Sequence, residues 1–515
     1  MNKKLLFSAL FLCASASLFA QDQKVIDNII KEVNENSQLE KLAHELLDVV
    51  GPRLVGSPQM KQANDWAVKK YSDWGISAKN EKWGEWAGWE RGVTHIDLVS
   101  PRLRTLEGTQ LAWSPSTNGK NINAEAIILP EITDSVSFQK WLPNVKGKIV
   151  LISMNQLSGR PEKDWEEFAT KELFEKFKKE KTDATKAWAA SLAKTGYTAK
   201  TLPVALENAG AVAVVINNWS QGFGVDKIFG ANTTKVPTLD LSVEDYGLVY
   251  RLALNGNKPM LKIESESKKL GVVPTFNTIA ELKGKQKPKE YVMLSAHFDS
   301  WDGASGATDN GSGTILMMEA MRILKKFYPN PKRSILVGHW GSEEQGLNGS
   351  RAFVEDHPEI VNNLQALFNQ DNGTGRVVNI GGQGFAKSKD YITRWLAAVP
   401  DTIKNQIKTS FPGTPGAGGS DFASFVAAGA LGYSLSSTSW DYGTYTWHTN
   451  RDSYDKLVFD EIRSNVILAA IMVYMACEDP EKTSNEKATS LPVNERTGKP
   501  ATWPIQTKSN RKGGL

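Results

Sequence analysis

The sequence predicts a three-layer α/β/α domain on a mostly parallel mixed sheet, with a second, smaller α/β domain inserted into it. Three observations carry this. Apolar runs such as VMLSA (292–296) and ILVG (335–338) alternate with amphipathic helical stretches such as 314–326, so the strands are covered on both faces. Between about residues 100 and 270 the texture changes to strand-like runs joined by turns, AEAIILP, GKIVLIS, AVAVVINN and KVPTLDLS, with helical LPVALENAG in β–α–β order. Ionisable residues then gather just beyond strand ends, where open parallel sheets place their chemistry.

At 515 residues the chain is too long for one ordinary core. Residues 1–20 have the layout of a secretory signal: Asn2-Lys3-Lys4, an apolar stretch from Leu5 to Leu12, small residues, then Leu18-Phe19-Ala20. That stretch is too short to span a bilayer. Bulky Leu12 argues against a lipoprotein at Cys13. With cleavage after Ala20, Cys477 is the one cysteine left, so no intramolecular disulfide is expected, as suits a bacterial periplasm. The formal charge of +4 falls to +2 once Lys3 and Lys4 leave, and no basic tract occurs. Nucleic acid and membrane insertion are therefore not expected, and the location expected is secreted or periplasmic.

In chain order, residues 21–100 read as the N-terminal part of the main domain. A helix over 37–50, with Ser37 as N-cap, breaks at Gly51-Pro52. A second helix over 60–74 is closed by Gly75 before a short strand at 76–78. Trp83, Trp86 and Trp89, interleaved with Gly84, Gly88 and Gly92, suggest a packed domain junction rather than a ligand platform. His44 and His95 read as structural. The inserted domain spans 101–270; its charged stretch 162–194 reads as a solvated surface excursion. It holds no phosphate loop, CxxC pair or HExxH, so its expected task is to shape access to a site elsewhere. Residues 271–478 return to α/β alternation and close with a helix over 459–475. The tail 479–515 is expected to be loosely ordered or to wrap the surface.

The chemistry sits at successive strand ends: His297 and Asp299, Asp309, Glu343-Glu344, Asp371, and His448. In a parallel sheet these junctions converge on one edge, and so many ionisable groups would repel unless they held cations. Two His with carboxylates and no thiolate suit zinc, with other divalent metals such as cobalt or manganese as options. A pair of ions sharing one carboxylate lowers the pKa of a water between them and polarises a carbonyl. A neighbouring unligated carboxylate must then carry the proton to the leaving amine, and Glu343-Glu344 can supply one base and one ligand.

The segments AHFDSWDGASGATDNGSG, ILVGHWGSEEQGLNGS, FNQDNGTG, GGSDFASF and HTNRDSYD resemble, in order, the motifs of the M28 family of co-catalytic zinc exopeptidases. LVGSPQMKQANDWAVKKYSDWG resembles that family's first helices, and the insertion resembles a protease-associated domain. The resemblance implies two zinc ions, one bound by His297 and Asp371, the other by Glu344 and His448, with Asp309 bridging. It implies Glu343 as general acid/base, Asp299 as the partner that orients the His297 ring, and a cis peptide at Asp309-Asn310. Where many relatives have Tyr before the final His, this chain has Trp447, so Tyr445 or Tyr442 is expected to stand in. The loop 412–421, with Ser420 and Asp421, resembles the family's substrate-pocket loop. His339 is expected to pack under the site and His357 to lie at a helix end.

The function expected is a secreted or periplasmic di-zinc exopeptidase acting on short peptides as an aminopeptidase or dipeptidase. The alternatives are a carboxypeptidase or acyl-amino-acid hydrolase on the same fold, or a catalytically inactive peptide-binding relative. Cyclisation of N-terminal Gln is a weaker option. The resemblance is compatible with a homodimer.

Overall fold

Two long antiparallel strands, Ser77–Ser100 and Met260–Leu282, pair along nearly their whole length and join two bodies of sheet. The computed structural model describes residues 23–494 and 497–514; the expected secretory signal and Cys13 lie outside the described residues. At one end of the ribbon, Thr278–Leu282 pair with Arg333–Trp340. At the other, Met260–Ile263 pair with Ile122–Ile128.

Outward from the first end, Arg333–Trp340, Lys287–His297, Leu364–Asn369 and Gly432–Ser437 run parallel. Val377–Gly381 follows antiparallel, and Lys408–Ser410 forms the edge. Every residue of Arg333–Trp340 and Leu364–Asn369 is buried, as continuous apolar strands covered on both faces require. Helices Ser312–Phe327 and Phe459–Glu478 pack on each other and on Lys287–His297. The fold is thus the expected three-layer α/β/α arrangement.

Outward from the second end, Ile122–Ile128, Ile149–Leu151, Ala213–Ile216 and Thr238–Leu241 run parallel, with Gly108–Gln110 antiparallel at the edge. This smaller sheet has its own apolar clusters, one around Ile149, Leu239 and Leu261, the other around Phe138, Leu202 and Val214. The charged stretch forms two helices, Glu162–Phe168 and Lys171–Lys194, laced by exposed pairs such as Lys179–Asp183 that add little stability.

Two sequence expectations need correction. The short strand at 76–78 is the start of a strand that continues to Ser100. Simple alternation hides it, because bulges shift the pairing register between Lys82 and Gly84, Gly88 and Trp89, Arg91 and Thr94, and Leu98 and Ser100. Gly88 is needed there: a Cβ would lie 2.8 Å from Val273 Cγ1. The helix expected from Ser37 starts one residue later, with Gln38 at the backbone N-cap of Leu39–Ala43 and Ser37 Oγ accepting from Leu39 N at 3.3 Å, and a wide π-type turn carries the chain through His44–Val50. The capping serine is Ser57, whose Oγ accepts from Met60 N at 3.1 Å at the start of Pro58–Asp73.

The three tryptophans are buried between the bodies. Trp83 and Trp86 meet edge-on at 6.3 Å, and Trp89 Nε1 donates to the Ser114 carbonyl at 3.1 Å. The C-terminal tail wraps the surface: Thr483 bonds Gln365, Trp503 packs on Phe385, and Lys512–Gly513 adds a short parallel strand to Glu85 and Trp86. Cys477 is free and fully buried. Among the described residues no helix is long and apolar enough to cross a membrane.

Candidate metal centre and active site

Lys287–His297 delivers His297 to the sheet edge, and the chain then loops to a turn at Ala307–Gly311 before helix Ser312–Phe327. Asp452 holds that turn, its two oxygens accepting from Thr308 N at 2.8 Å and Asp309 N at 3.0 Å. The Asp309-Asn310 peptide is cis, as the resemblance implies. Asn310 Nδ2 donates to the Gln370 carbonyl at 2.9 Å and its Oδ1 accepts from Gly313 N at 3.0 Å. A Cβ on Gly313 would sit 2.4 Å from that Oδ1, so the glycine after Ser312 permits the close approach.

Beneath the turn lies Arg53, fully buried. It donates to the carbonyls of Phe298 at 2.7 Å, Gly51 at 3.1 Å, Ser305 at 2.6 Å and Gly306 at 2.8 Å. Burial lowers its pKa to about 10, and Asp452, Asp299, Asp309 and Glu344 oppose that fall. The guanidinium therefore stays charged, ties down the loop between His297 and Asp309, and offsets part of the negative charge above it.

Asp309 faces two ways. Its Oδ1 lies 3.2 Å from His297 Nε2, which is also 3.2 Å from Asp371 Oδ1. Its Oδ2 lies 3.3 Å from His448 Nε2, which is 2.7 Å from Glu344 Oε2. His297, Asp309 and Asp371 form one group of converging ligand atoms and Asp309, Glu344 and His448 another, each with those atoms within 4.8 Å of one another. Asp309 Oδ2, Glu344 Oε1 and His448 Nδ1 are buried without a hydrogen-bond partner. Buried unpartnered oxygens are costly, and divalent cations satisfy them; an all-carboxylate and imidazole donor set fits zinc.

Glu343 belongs to neither group. Ser342, with φ +62°, turns the backbone sharply after the strand, so the adjacent carboxylates point differently. Asp299 fixes this turn: its Oδ1 accepts from Glu343 N at 3.0 Å and its Oδ2 from Glu344 N at 3.2 Å. The His297 ring is held instead by the Asp299 carbonyl, 3.0 Å from Nδ1, with the carboxylate at 3.7 Å. Asp299 thus positions the glutamate pair as well as the imidazole. Burial pushes Glu343 well above the usual carboxylate range, with Asp371, Asp421 and Glu344 adding to it against His297. Burial does the same to Glu344, reinforced by Asp309.

The other candidates are placed as follows. Ser420 Oγ accepts from Asn369 Nδ2 at 2.8 Å, at the end of a buried chain running from Trp340 through Ser295. Asp421 is fully buried, and burial pushes it to about 7 in the field of Asp371 and Asp299. Tyr445 lies against Gly222 of the smaller body, whereas Tyr442 lies in the field of Asp309, Asp371 and Glu344, which with burial raises its hydroxyl pKa. Of the two tyrosines, Tyr442 is the one at the carboxylate cluster. Trp447 stacks on His448 with ring centroids 4.0 Å apart. His339 bonds the Tyr71 hydroxyl at 2.8 Å, and burial lowers it to about 3, so it packs under the site as expected. His357 pairs with Glu81 at the end of its helix. Arg53 and Asp452 are the supports the sequence does not announce: each sits in an irregular loop, where no periodicity marks burial.

The model of peptidase family M28 matches residues 277–472, the stretch that carries all the metal-facing groups. The chain contains an M28 peptidase domain. Mouse carboxypeptidase Q is 25% identical over 461 residues, covering 87% of each chain. The human carboxypeptidase Q is 25% identical over 449 residues, covering 87% of this chain and 86% of its own. Among solved structures, a peptidase M28 precursor from Shewanella amazonensis aligns with TM-score 0.65 at 23% identity, covering 90% of this chain and 98% of its own. BSAP, a zinc aminopeptidase from Bacillus subtilis, aligns with TM-score 0.56 at 19% identity, covering 87% and 97%. The matched domain is that of a peptidase family.

Proposed function

We propose that this M28 protein binds two zinc ions and hydrolyses short peptides from a free amino terminus, as an aminopeptidase or dipeptidase, after export to a periplasmic or extracellular space. The observation that supports it is the single carboxylate of Asp309 shared between two ligand groups, with Glu343 beside them in neither. His297 and Asp371 would hold one ion and Glu344 and His448 the other. Zinc bound there supplies Lewis acidity, polarising the scissile carbonyl and making water a nucleophile at neutral pH.

The chain's own residues do the rest. Glu343 takes the proton from the attacking water and gives it to the leaving amine, a task that suits a carboxylate whose pKa burial has raised. Asp299 keeps Glu343 aimed through its backbone N–H, and Arg53 and Asp452 keep Asp309 in place. Tyr442 offers a hydroxyl at the cluster. The segment 101–270, read as an inserted protease-associated-like domain, roofs the site through Phe229, edge-on to His448 at 5.4 Å.

A panel of one dipeptide, free, N-acetylated and C-amidated, tests the terminus. Acetylation is expected to abolish cleavage by the zinc-loaded protein. Cleavage that survives the N-terminal block but not the C-terminal amide would replace this reading with a carboxypeptidase or acyl-amino-acid hydrolase.

A further inference from the structure

A cavity of about 250 Å³ opens where the start of helix Pro58–Asp73 meets the strand Met260–Leu282, and it takes no part in the mechanism above. Val55, Pro58, Met60, Val273 and Phe276 give it apolar walls, and Gly341 closes one side. It borders two supports of the active site. Val55 follows Arg53 by two residues, and Gly341 directly precedes Ser342, whose φ of +62° sets the glutamate turn. A Cβ on Gly341 would lie 2.7 Å from the Phe276 carbonyl oxygen, so strand end and cavity wall touch without slack.

Two polar groups here have hydrogen-bonding capacity to spare. Trp83 Nε1 lies 3.2 Å, and Met60 Cε 3.6 Å, from that same Cβ position on Gly341. The indole N–H is buried and has no hydrogen-bond partner among the described residues. Thr275, which lines the cavity, is 5% exposed, and its hydroxyl is likewise buried and unpartnered. An indole N–H can only donate and a hydroxyl can donate, so the group that satisfies both is an acceptor. Among the described residues no Asp or Glu lines the cavity. Its one charged lining residue is Lys61, which pairs with Asp65 and holds its ammonium 5.6 Å over the Phe276 ring. The positive end of the helix dipole adds to that sign.

We propose that this cavity is an effector site for a small apolar carboxylic acid, separate from the metal centre. The aryl or branched alkyl body fills the apolar walls, and the carboxylate accepts from Trp83 and Thr275 in the field of Lys61. Drug-sized sites measure about 300–1,000 Å³, so a cavity of about 250 Å³ takes a smaller molecule. An occupant rests on Gly341 and Val55 at once, and so bears on the glutamate turn and on the Arg53 loop. A ligand that binds unequally to two arrangements of those supports shifts their balance, and turnover with it, without competing for the metal centre. The inference stands apart from the exopeptidase reading, which only its kinetic arm uses.

The test is isothermal titration calorimetry of the zinc-loaded full chain with 3-phenylpropanoate and with its amide, for the parent, Thr275→Val and Lys61→Gln, beside dipeptide kinetics with added acid. The parent should bind the acid saturably and roughly threefold or more tighter than the amide, the scale of one exposed charge interaction. Thr275→Val removes a hydroxyl that has no partner in the protein, so the fold should tolerate it, and affinity for the acid should fall roughly 3- to 10-fold, as for one neutral hydrogen bond. Lys61→Gln should bring the acid close to the amide. The acid should change kcat of the parent and leave KM for the dipeptide unaltered. Inhibition competitive with the dipeptide, at an affinity unchanged in Thr275→Val, would put the acid on the metal centre and overturn the inference. Absence of saturable binding, or equal affinity for acid and amide in the parent, would overturn it too, and all three results leave the exopeptidase reading intact.

Discussion

Glu343→Gln is expected to lower turnover of an unblocked dipeptide by about 10²–10⁴-fold, the usual contribution of a positioned general acid/base. The amide is the same size as the carboxylate, and Glu343 lies in neither ligand group, so metal content should match the parent's. The backbone N–H of residue 343 still donates to Asp299, so the turn that aims Glu344 survives the change. Zinc analysis beside initial rates separates the cases. A variant as fast as the parent would remove Glu343 from proton transfer, and one that loses zinc along with activity would make it a ligand.

Asp309→Asn is expected to be more damaging, because one residue serves both ions. Its two oxygens face His297 and His448 separately, and the neutral amide puts an N–H₂ where one of those oxygens stood. Zinc content should fall below two per chain and turnover by about 10³-fold or more, since metal and proton transfer both depend on this geometry. Zinc should also stabilise the variant less than the parent. A ligand that binds only the folded state adds about 2.7 kcal/mol at a hundredfold excess over its Kd, and weaker binding lowers that gain at a fixed zinc concentration. Differential scanning calorimetry with and without added zinc measures it. A variant that keeps two tightly bound ions and parental stabilisation would show that Asp309 does not bridge.

The metal-facing residues were readable because strand ends are. Buried apolar strands announce themselves in sequence, parallel order brings their ends to one edge, and the charged groups just beyond them had few other reasons to be there. His297, Glu344 and Asp371 meet in the structure for that reason, whereas Asp309 and His448 come from loops well past their strands, where the order of family-like motifs marked them. The ribbon Ser77–Ser100 was not readable, because four register shifts break the period of two that identifies a strand. Arg53 and Asp452 escaped for a related cause: their value lies in hydrogen bonds to irregular backbone, which leave no spacing to detect. The choice between Tyr442 and Tyr445 left no mark in the sequence, because only the folded chain sets Tyr442 beside Asp309 and Tyr445 against Gly222.

The measurement that bears most directly on the central claim is zinc bound per chain, followed with turnover of an unblocked dipeptide as zinc is returned to chelated protein. The prediction is no turnover without metal and full turnover as the second equivalent binds. Saturation at one ion with full activity, or two bound ions without hydrolysis, would contradict a catalytic centre built around the shared carboxylate of Asp309.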